Sequence, residues 1–346
     1  MDELTLLRSV RNSEAAADAD ALARGRTKLL AHISAADDAP ATAPSSRRRS
    51  VVRRVRWFGG GSLVAGGVAA ALVVGNVTGF AGLRGGADPA AADVLNDAAS
   101  TTITTSDPVV GAGQYLEVAT HAAAATQAVT ADGSATYLAS QDGQLYIPAD
   151  TTSTWVWVRE PEAVVKTFGA ASKEAAADTP RAKGEYLRAD GGSFYGAPAA
   201  VSLADLKELS RDPAALLRHI YTVTNGQGRS RDGEALVWIA DTLRSGIVPA
   251  DLRAALYKAA AGIPGVELTD KQANLDGQTG VAIGRTESDG IRQELIIDPT
   301  TGLMIGEREV ATGKAATGFR VPDGTAVGWT AVTTAVVDTA PGKGTK

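Results

Sequence analysis

Residues 57–83, WFGGGSLVAGGVAAALVVGNVTGFAGL, are 27 consecutive positions without Asp, Glu, Lys, Arg or His. A helix needs roughly 20 apolar residues to cross a hydrocarbon layer of about 30 Å, so this run is long enough to span a membrane. A buried helix of a soluble domain seldom runs so long without caps. Eight of the 27 residues are glycine. Glycine costs about 1 kcal/mol relative to alanine in an aqueous helix. It is better tolerated in lipid, where leaving the helix would expose unpaired backbone groups. The expectation is one transmembrane helix over 57–83.

Orientation follows from the charged collar. Arg47, Arg48, Arg49, Arg53, Arg54 and Arg56 precede the run, and only Arg84 follows closely. The positive-inside rule then places residues 1–56 in the cytoplasm and 84–346 outside. Trp57 and Phe80 stand where interfacial aromatic anchors belong. Gly67, Ala71, Gly75 and Gly79 recur every four residues, a small-residue stripe that would let two spans approach closely. The rival reading is export. RRSVVR, residues 48–53, resembles a twin-arginine signal, but 47 residues precede it and the apolar part exceeds the 7–15 residues of a cleavable signal.

Charge divides the chain the same way. Residues 1–56 hold 11 Lys/Arg against 7 Asp/Glu, and residues 84–346 hold 23 against 32. The organisation expected is a cytoplasmic amphipathic helical segment (1–36), a disordered basic linker (37–56), the span (57–83) and an extracytoplasmic α+β domain (84–346). In the first segment Leu22, Leu29, Leu30 and Ile33 can share a stripe that needs a partner. The basic cluster lacks interleaved aromatics, so anionic headgroups, not nucleic acid, are its expected neighbours.

The outer domain reads as helix, strands, helices, strands. Asp88-Pro89 opens a helix. QYLEVAT, ATYLASQ, QLYIPA and STWVWVRE alternate as strands, with hairpin turns expected at Asp132-Gly133 and Asp142-Gly143. GEYLRADGGSFYG reads as another hairpin around Asp190-Gly191. A helical block follows: SLADLKEL, the Asp212-Pro213 entry, 230–246 and 250–261. VELTD, GVAIGRTES, GIRQELIIDP, LMIGEREVA and TAVGWTAVTTAVVD then return as strands. The fold class expected is α+β, with a curved antiparallel sheet and a helical block inserted between two strand groups.

Catalytic patterns are sparse. There is no cysteine, which excludes disulfides, thiolate metal sites and cysteine nucleophiles. Three histidines, His32, His121 and His219, show no metal spacing. Ser193 in GGSFYG misses the nucleophile-elbow spacing by one residue. Glu160 and Glu162 read as strand-end carboxylates. The chain is therefore expected to be non-enzymatic, without cofactor or metal. What remains is a binding surface, and Tyr137, Tyr146, Trp155 and Trp157 are the residues expected to line an apolar ligand face.

Several blocks carry a resemblance. DELTLLR with LARGRTKLLAHI, the basic stop before a Gly/Ala-rich span, AADVLNDAA, VSLADLKELSRDPAALL, PADLRAALYKAAAGIPGVEL and GIRQELIIDPTTGLMIGER resemble a largely uncharacterised family of actinobacterial single-pass membrane proteins. Its members are often encoded beside extracytoplasmic-function sigma factors. The resemblance implies an envelope-signalling role, with a sigma factor or another regulator as the cytoplasmic partner and a lipid or envelope protein as the outer one. The element order also resembles the lipoprotein-carrier half-barrel, shared with a periplasmic regulator of an anti-sigma factor. The chain departs from zinc-type anti-sigma domains, which carry a His and two Cys. A carrier-like lipid-binding module without signalling is the alternative. Oligomeric state is not legible.

Overall fold

The computed structural model describes residues 86–105, 107–130, 133–196 and 203–342. The expected span at 57–83, its arginine collar, its small-residue stripe and the segments at 1–36 and 37–56 lie outside these residues. No helix among the described residues is long and apolar enough to cross a membrane.

The described residues open with helix α1 (Pro89–Thr104). The Asp88 carboxylate accepts from the Ala91 N–H at 2.6 Å, satisfying one of the orphan donors of the first turn. Strands β1 (Tyr115–Thr130), β2 (Gly133–Ser140), β3 (Gly143–Pro148), β4 (Thr154–Arg159) and β5 (Ala163–Thr167) follow, then helix α2 (Ala170–Asp178) and strand β6 (Glu185–Asp190). The helical block is α3 (Leu203–Glu208), α4 (Pro213–Val223), α5 (Arg231–Arg244) and α6 (Ala250–Ala261). Strands β7 (Val266–Leu275), β8 (Gln278–Thr286), β9 (Ile291–Ile297) and β10 (Met304–Ala311) lead to a short helix α7 (Lys314–Phe319) and to β11 (Thr325–Val337).

All these strands join one antiparallel sheet, in the order β6-β4-β3-β1-β11-β10-β9-β8-β7, with β2 pairing β1 and β5. The two strand groups meet where β1 pairs β11, from Tyr115↔Val337 to Ala124↔Gly328. The helical block is thus inserted between two halves of one sheet, as the element order implied, giving an α+β fold.

Two turns differ from the sequence reading. Asp142-Gly143 does not reverse the chain. β2 and β3 both run antiparallel to β1, against its residues 123–130 and 115–120 respectively. The break is a step along one path, held from outside: the Glu160 N–H donates to the Asp142 carbonyl at 2.8 Å, and Asp142 Oδ1 lies 2.8 Å from His121 Nδ1. An Asp-Gly pair makes a hairpin only when its flanking strands pair with each other, and here both are taken by β1. After Asp190, Gly191 and Gly192 turn at φ 60 and 73, but the chain enters a 3₁₀ turn at Phe194–Gly196, not a second strand. Gly192 sits against the Trp155 ring, where a Cβ would approach within 2.7 Å of Cε3.

Strand alternation divides the core. Leu295 of β9 pairs with Ile283 of β8, and both point to the helices. There Leu95, Leu216, Ile220, Leu236, Ile239, Leu252, Leu256 and Tyr257 are fully buried. Side-chain caps at Asp212 and Ser230 fix the starts of α4 and α5, each contributing about 1 kcal/mol. On the opposite face, Ala273, Leu275, Ala282, Ile296, Ile305 and Ala331 form a second buried cluster.

Gly306 shows how tightly β10 is held. A Cβ there would run into the Thr330 carbonyl oxygen and stand 2.6 Å from Leu275 Cδ2. Gly306→Ala should cost about 1–3 kcal/mol through overpacking. Gly318→Ala, within α7 and with nothing inside 4 Å of its added methyl, should be neutral or raise stability by roughly 0.5–1 kcal/mol. Thermal melts of the two variants check this, and equal melting points would contradict the packing argument.

Candidate functional site

The register between β3 and β4 decides which aromatics share a face. Leu145 pairs with Trp157 and Tyr146 with Val156, so Trp155 and Trp157 lie on one face and Tyr146 on the other. Trp155 is buried among Leu116, Val118, Ile147 and Val332, and its Nε1 donates to the Thr151 carbonyl at 2.9 Å. Tyr137 is buried with Ala139 and Ala176 beneath α2. Tyr146 donates its hydroxyl to Glu117 Oε1 at 2.9 Å, and burial first, then Glu117, pushes its pKa up to about 12. Of the four aromatics expected to line one apolar face, strand alternation places Tyr137, Trp155 and Trp157 on one face of the sheet and Tyr146 on the other.

Trp157 is half-buried and packs beside an exposed aromatic. Its ring lies 5.4 Å from Phe194 and 6.4 Å from Tyr195, the latter edge-on at 74°. The Arg159 guanidinium stands 5.0 Å from the same ring, a cation–π distance. Arg159 Nη1 donates to Glu185 Oε2 at 2.5 Å and to the Tyr195 hydroxyl at 3.0 Å, and that hydroxyl donates to Glu185 at 2.8 Å. Arg159 Nη2 also donates to Gln141 Oε1. Burial and the Glu185 bond both raise the Tyr195 pKa, against the pull of Arg159. Tyr195 is 66% exposed and held at φ 56, a left-handed conformation that costs a non-glycine residue about 1 kcal/mol. A polar clamp thus fixes an exposed aromatic at the β4–β6 edge.

The sheet face turned away from the helical block carries a charged row. Glu294 of β9 is fully buried, with Arg292 Nε on its Oε1 at 2.6 Å and Arg308 Nε on its Oε2. Arg308 pairs across the ladder with both Glu294 and Trp329. The His121 ring stacks on Trp329 at 5.0 Å and 22°. Sequence reasoning read GIRQELIIDP only as a strand. The signal lay in Arg292 and Glu294 at i and i+2, which alternation places on one face.

A second buried carboxylate faces the helices. Glu307 of β10 is fully buried, accepts from Gln293 Nε2 at 2.9 Å and stands 2.7 Å from Arg244 Nε at the end of α5. Glu162 Oε2 accepts from the Ala182 N–H at 3.3 Å, and Ser193 lies in the turn after β6. Among the described residues no group of three or more His, Asp and Glu could hold a metal ion.

No family model matches the chain, and no curated protein matches it. Among solved structures, the MucA/MucB complex of Pseudomonas aeruginosa aligns at 12% identity with a TM-score of 0.25. The match covers 74% of this chain and 59% of that one, so this chain spans about three fifths of the length it matches. A DUF1329 family protein from Desulfovibrio piger aligns at 10% identity and TM-score 0.17, covering 71% of this chain and 92% of that one. At these scores neither similarity carries a fold or a function to this chain.

Proposed function

We propose that the protein is a single-pass plasma-membrane protein whose N-terminal segment is cytoplasmic and whose α+β domain, outside, binds a ligand or an envelope partner without catalysis. The observation that carries this reading is the 27-residue uncharged run behind six arginines. A chain that keeps such a run must bury it, and lipid buries it most simply. The exposed Tyr195, locked by Arg159 and Glu185 beside Trp157, supports a binding role, because a rigid aromatic loses little entropy on contact. A relay from the outer domain to a sigma factor or another cytoplasmic regulator is part of the proposal, resting on the sequence resemblance. The test is protease digestion of intact cells expressing the chain tagged at both ends. Only the C-terminal tag should be cut. Loss of the N-terminal tag, or full-length chain in the aqueous fraction without detergent, overturns the topology.

RRSVVR supports a second reading, export of a soluble domain. A mature form beginning after residue 80 would select it. Lipid co-purifying with the protein while no cytoplasmic partner is captured by residues 1–36 would select a carrier without signalling.

A further inference from the structure

We propose that Arg292 and Arg308 form a binding site for a phosphate-class oxyanion on the sheet face opposite the helical block. The site is separate from the Trp157–Tyr195 cluster and does not depend on which side of a membrane the domain occupies.

The arrangement begins with one buried carboxylate. Glu294 is 0% exposed, and each of its oxygens takes the Nε–H of a different arginine. A fully buried charge must be paired, and one arginine would suffice for that. The second brings positive charge beyond what the buried carboxylate neutralises. Asp270 offsets part of it from further away, with Oδ2 3.5 Å from Arg308 Nη2.

The way the guanidiniums are used decides what they can still bind. Both face Glu294 with Nε, which leaves the terminal nitrogens. Among the described residues, Arg292 Nη1 and Nη2 and Arg308 Nη1 have no hydrogen-bond partner. These side chains are 27% and 18% exposed, so the donors can be reached. Free arginines lose much rotamer entropy when they grip a ligand. These two are already oriented by Glu294, so less is lost per bond formed. A planar carboxylate is satisfied by one guanidinium fork. The paired terminal nitrogens of Arg292 and the single one of Arg308, anchored to one point, suit an oxyanion with three or four oxygens.

Across from Glu294, β8 places Gly284, where a Cβ would crowd Glu294 Cγ at 2.8 Å, so the glycine lets the buried carboxylate lie close against the neighbouring strand. On the other side Trp329, backed by His121, gives an aromatic wall beside Arg308. An anion that carries an apolar or flat portion would find both groups here. The oxyanion could be free phosphate or the headgroup of an anionic phospholipid, and the same donors would serve either.

The test titrates inorganic phosphate into the full-length protein by calorimetry, with non-ionic detergent when the chain requires it. Saturable binding is expected in the wild type, and Arg292→Gln should weaken it about tenfold or more in a variant that remains folded. Should Arg292→Gln melt, Arg308→Lys decides, because it keeps a cation against Glu294 but loses the fork. It should weaken binding comparably. Repeating the titration in mixed micelles containing phosphatidylglycerol separates the sources. A fall in apparent phosphate affinity in the wild type, absent in Arg292→Gln, assigns the headgroup, and no change assigns free phosphate. Absence of saturable phosphate binding, or equal affinity in the wild type and the folded variants, overturns the proposal. The membrane reading can fail without affecting this result, since phosphate binding is read on the protein in either form.

Discussion

Tyr257→Ala should destabilise the α+β domain by about 3–5 kcal/mol, the usual loss for a buried aromatic truncated to alanine, and lower its Tm by on the order of 10 °C. Tyr257 lies on α6 with 0% exposure, inside the cluster that joins the helical block to β7–β9. Its ring is not its only contribution. The hydroxyl donates to the Gly302 carbonyl at 2.9 Å. Gly302 closes the β9–β10 turn at φ 67 and presses on α1, where a Cβ would meet the Ala98 carbonyl oxygen at 2.6 Å and the Thr102 nitrogen at 2.7 Å. One side chain therefore ties α6 to a turn that is itself wedged against α1. Tyr257→Phe keeps the ring and orphans the carbonyl, and should cost only about 1–2 kcal/mol. Chemical denaturation of the three proteins checks the ranking. A phenylalanine variant as unstable as the alanine variant would show that the hydrogen bond, not packing, dominates.

The helical block was the most legible part of the chain. Asp212-Pro213, Ser230, Gly246 and Gly262 are local signals, and the caps at Asp212 and Ser230 form with no help from distant residues. Leu252, Leu256, Ala260 and Tyr257 recur at helical spacing and are all buried. The strands beyond residue 265 were legible for a similar reason, since Asp289-Gly290 and 298–302 turn the chain between pairing neighbours. The first half was harder. β5 and α2 carry weak patterns: AVVKT is short, and AASKEAAAD lacks an apolar stripe. Asp142-Gly143 has hairpin composition, yet the chain continues because β1 is long enough to occupy both flanks.

The placement of Tyr146 was not legible from sequence for a related reason. Alternation put Trp155 and Trp157 on one face. Whether Tyr146 joined them depended on a one-residue choice of register between β3 and β4, and a one-residue slip moves every side chain to the other face. The buried charges were hidden more deeply. Arg292-x-Glu294 and Glu307-Arg308-Glu309 look like solvated strand faces. Only the pairing of β9 with β10 shows that Glu294 meets Arg308, while alternation turns Glu307 toward Arg244 on the other face.

Glu307 should make the domain less stable as pH rises from about 5 to 8. Burial pushes its pKa from the ordinary 4.5 up to about 8. Arg244, 2.7 Å away, opposes the shift, Asp241 and Glu309 add to it, and the Gln293 amide bond lowers it. Desolvation prevails because the carboxylate is fully buried between α5 and the sheet. The sign follows from proton counts. Between the unfolded and folded pKa values the folded state holds a proton that the unfolded state has released. The stabilisation is therefore complete below about 4.5 and is lost as pH climbs through about 8, at a slope of at most ~1.4 kcal/mol per pH unit for one group. Glu307→Gln mimics the protonated form and keeps the contact with Gln293. Arg244 then retains Asp241, to which Nη2 donates. The variant should match the wild type near pH 5 and exceed it above pH 8, with the difference growing between. Urea denaturation across that range measures it, and parallel curves would mean that Arg244 holds the carboxylate ionised throughout. The contact joins the last turn of α5 to the centre of the sheet, so its protonation state sets how firmly the inserted helices sit on the strands that flank them in sequence.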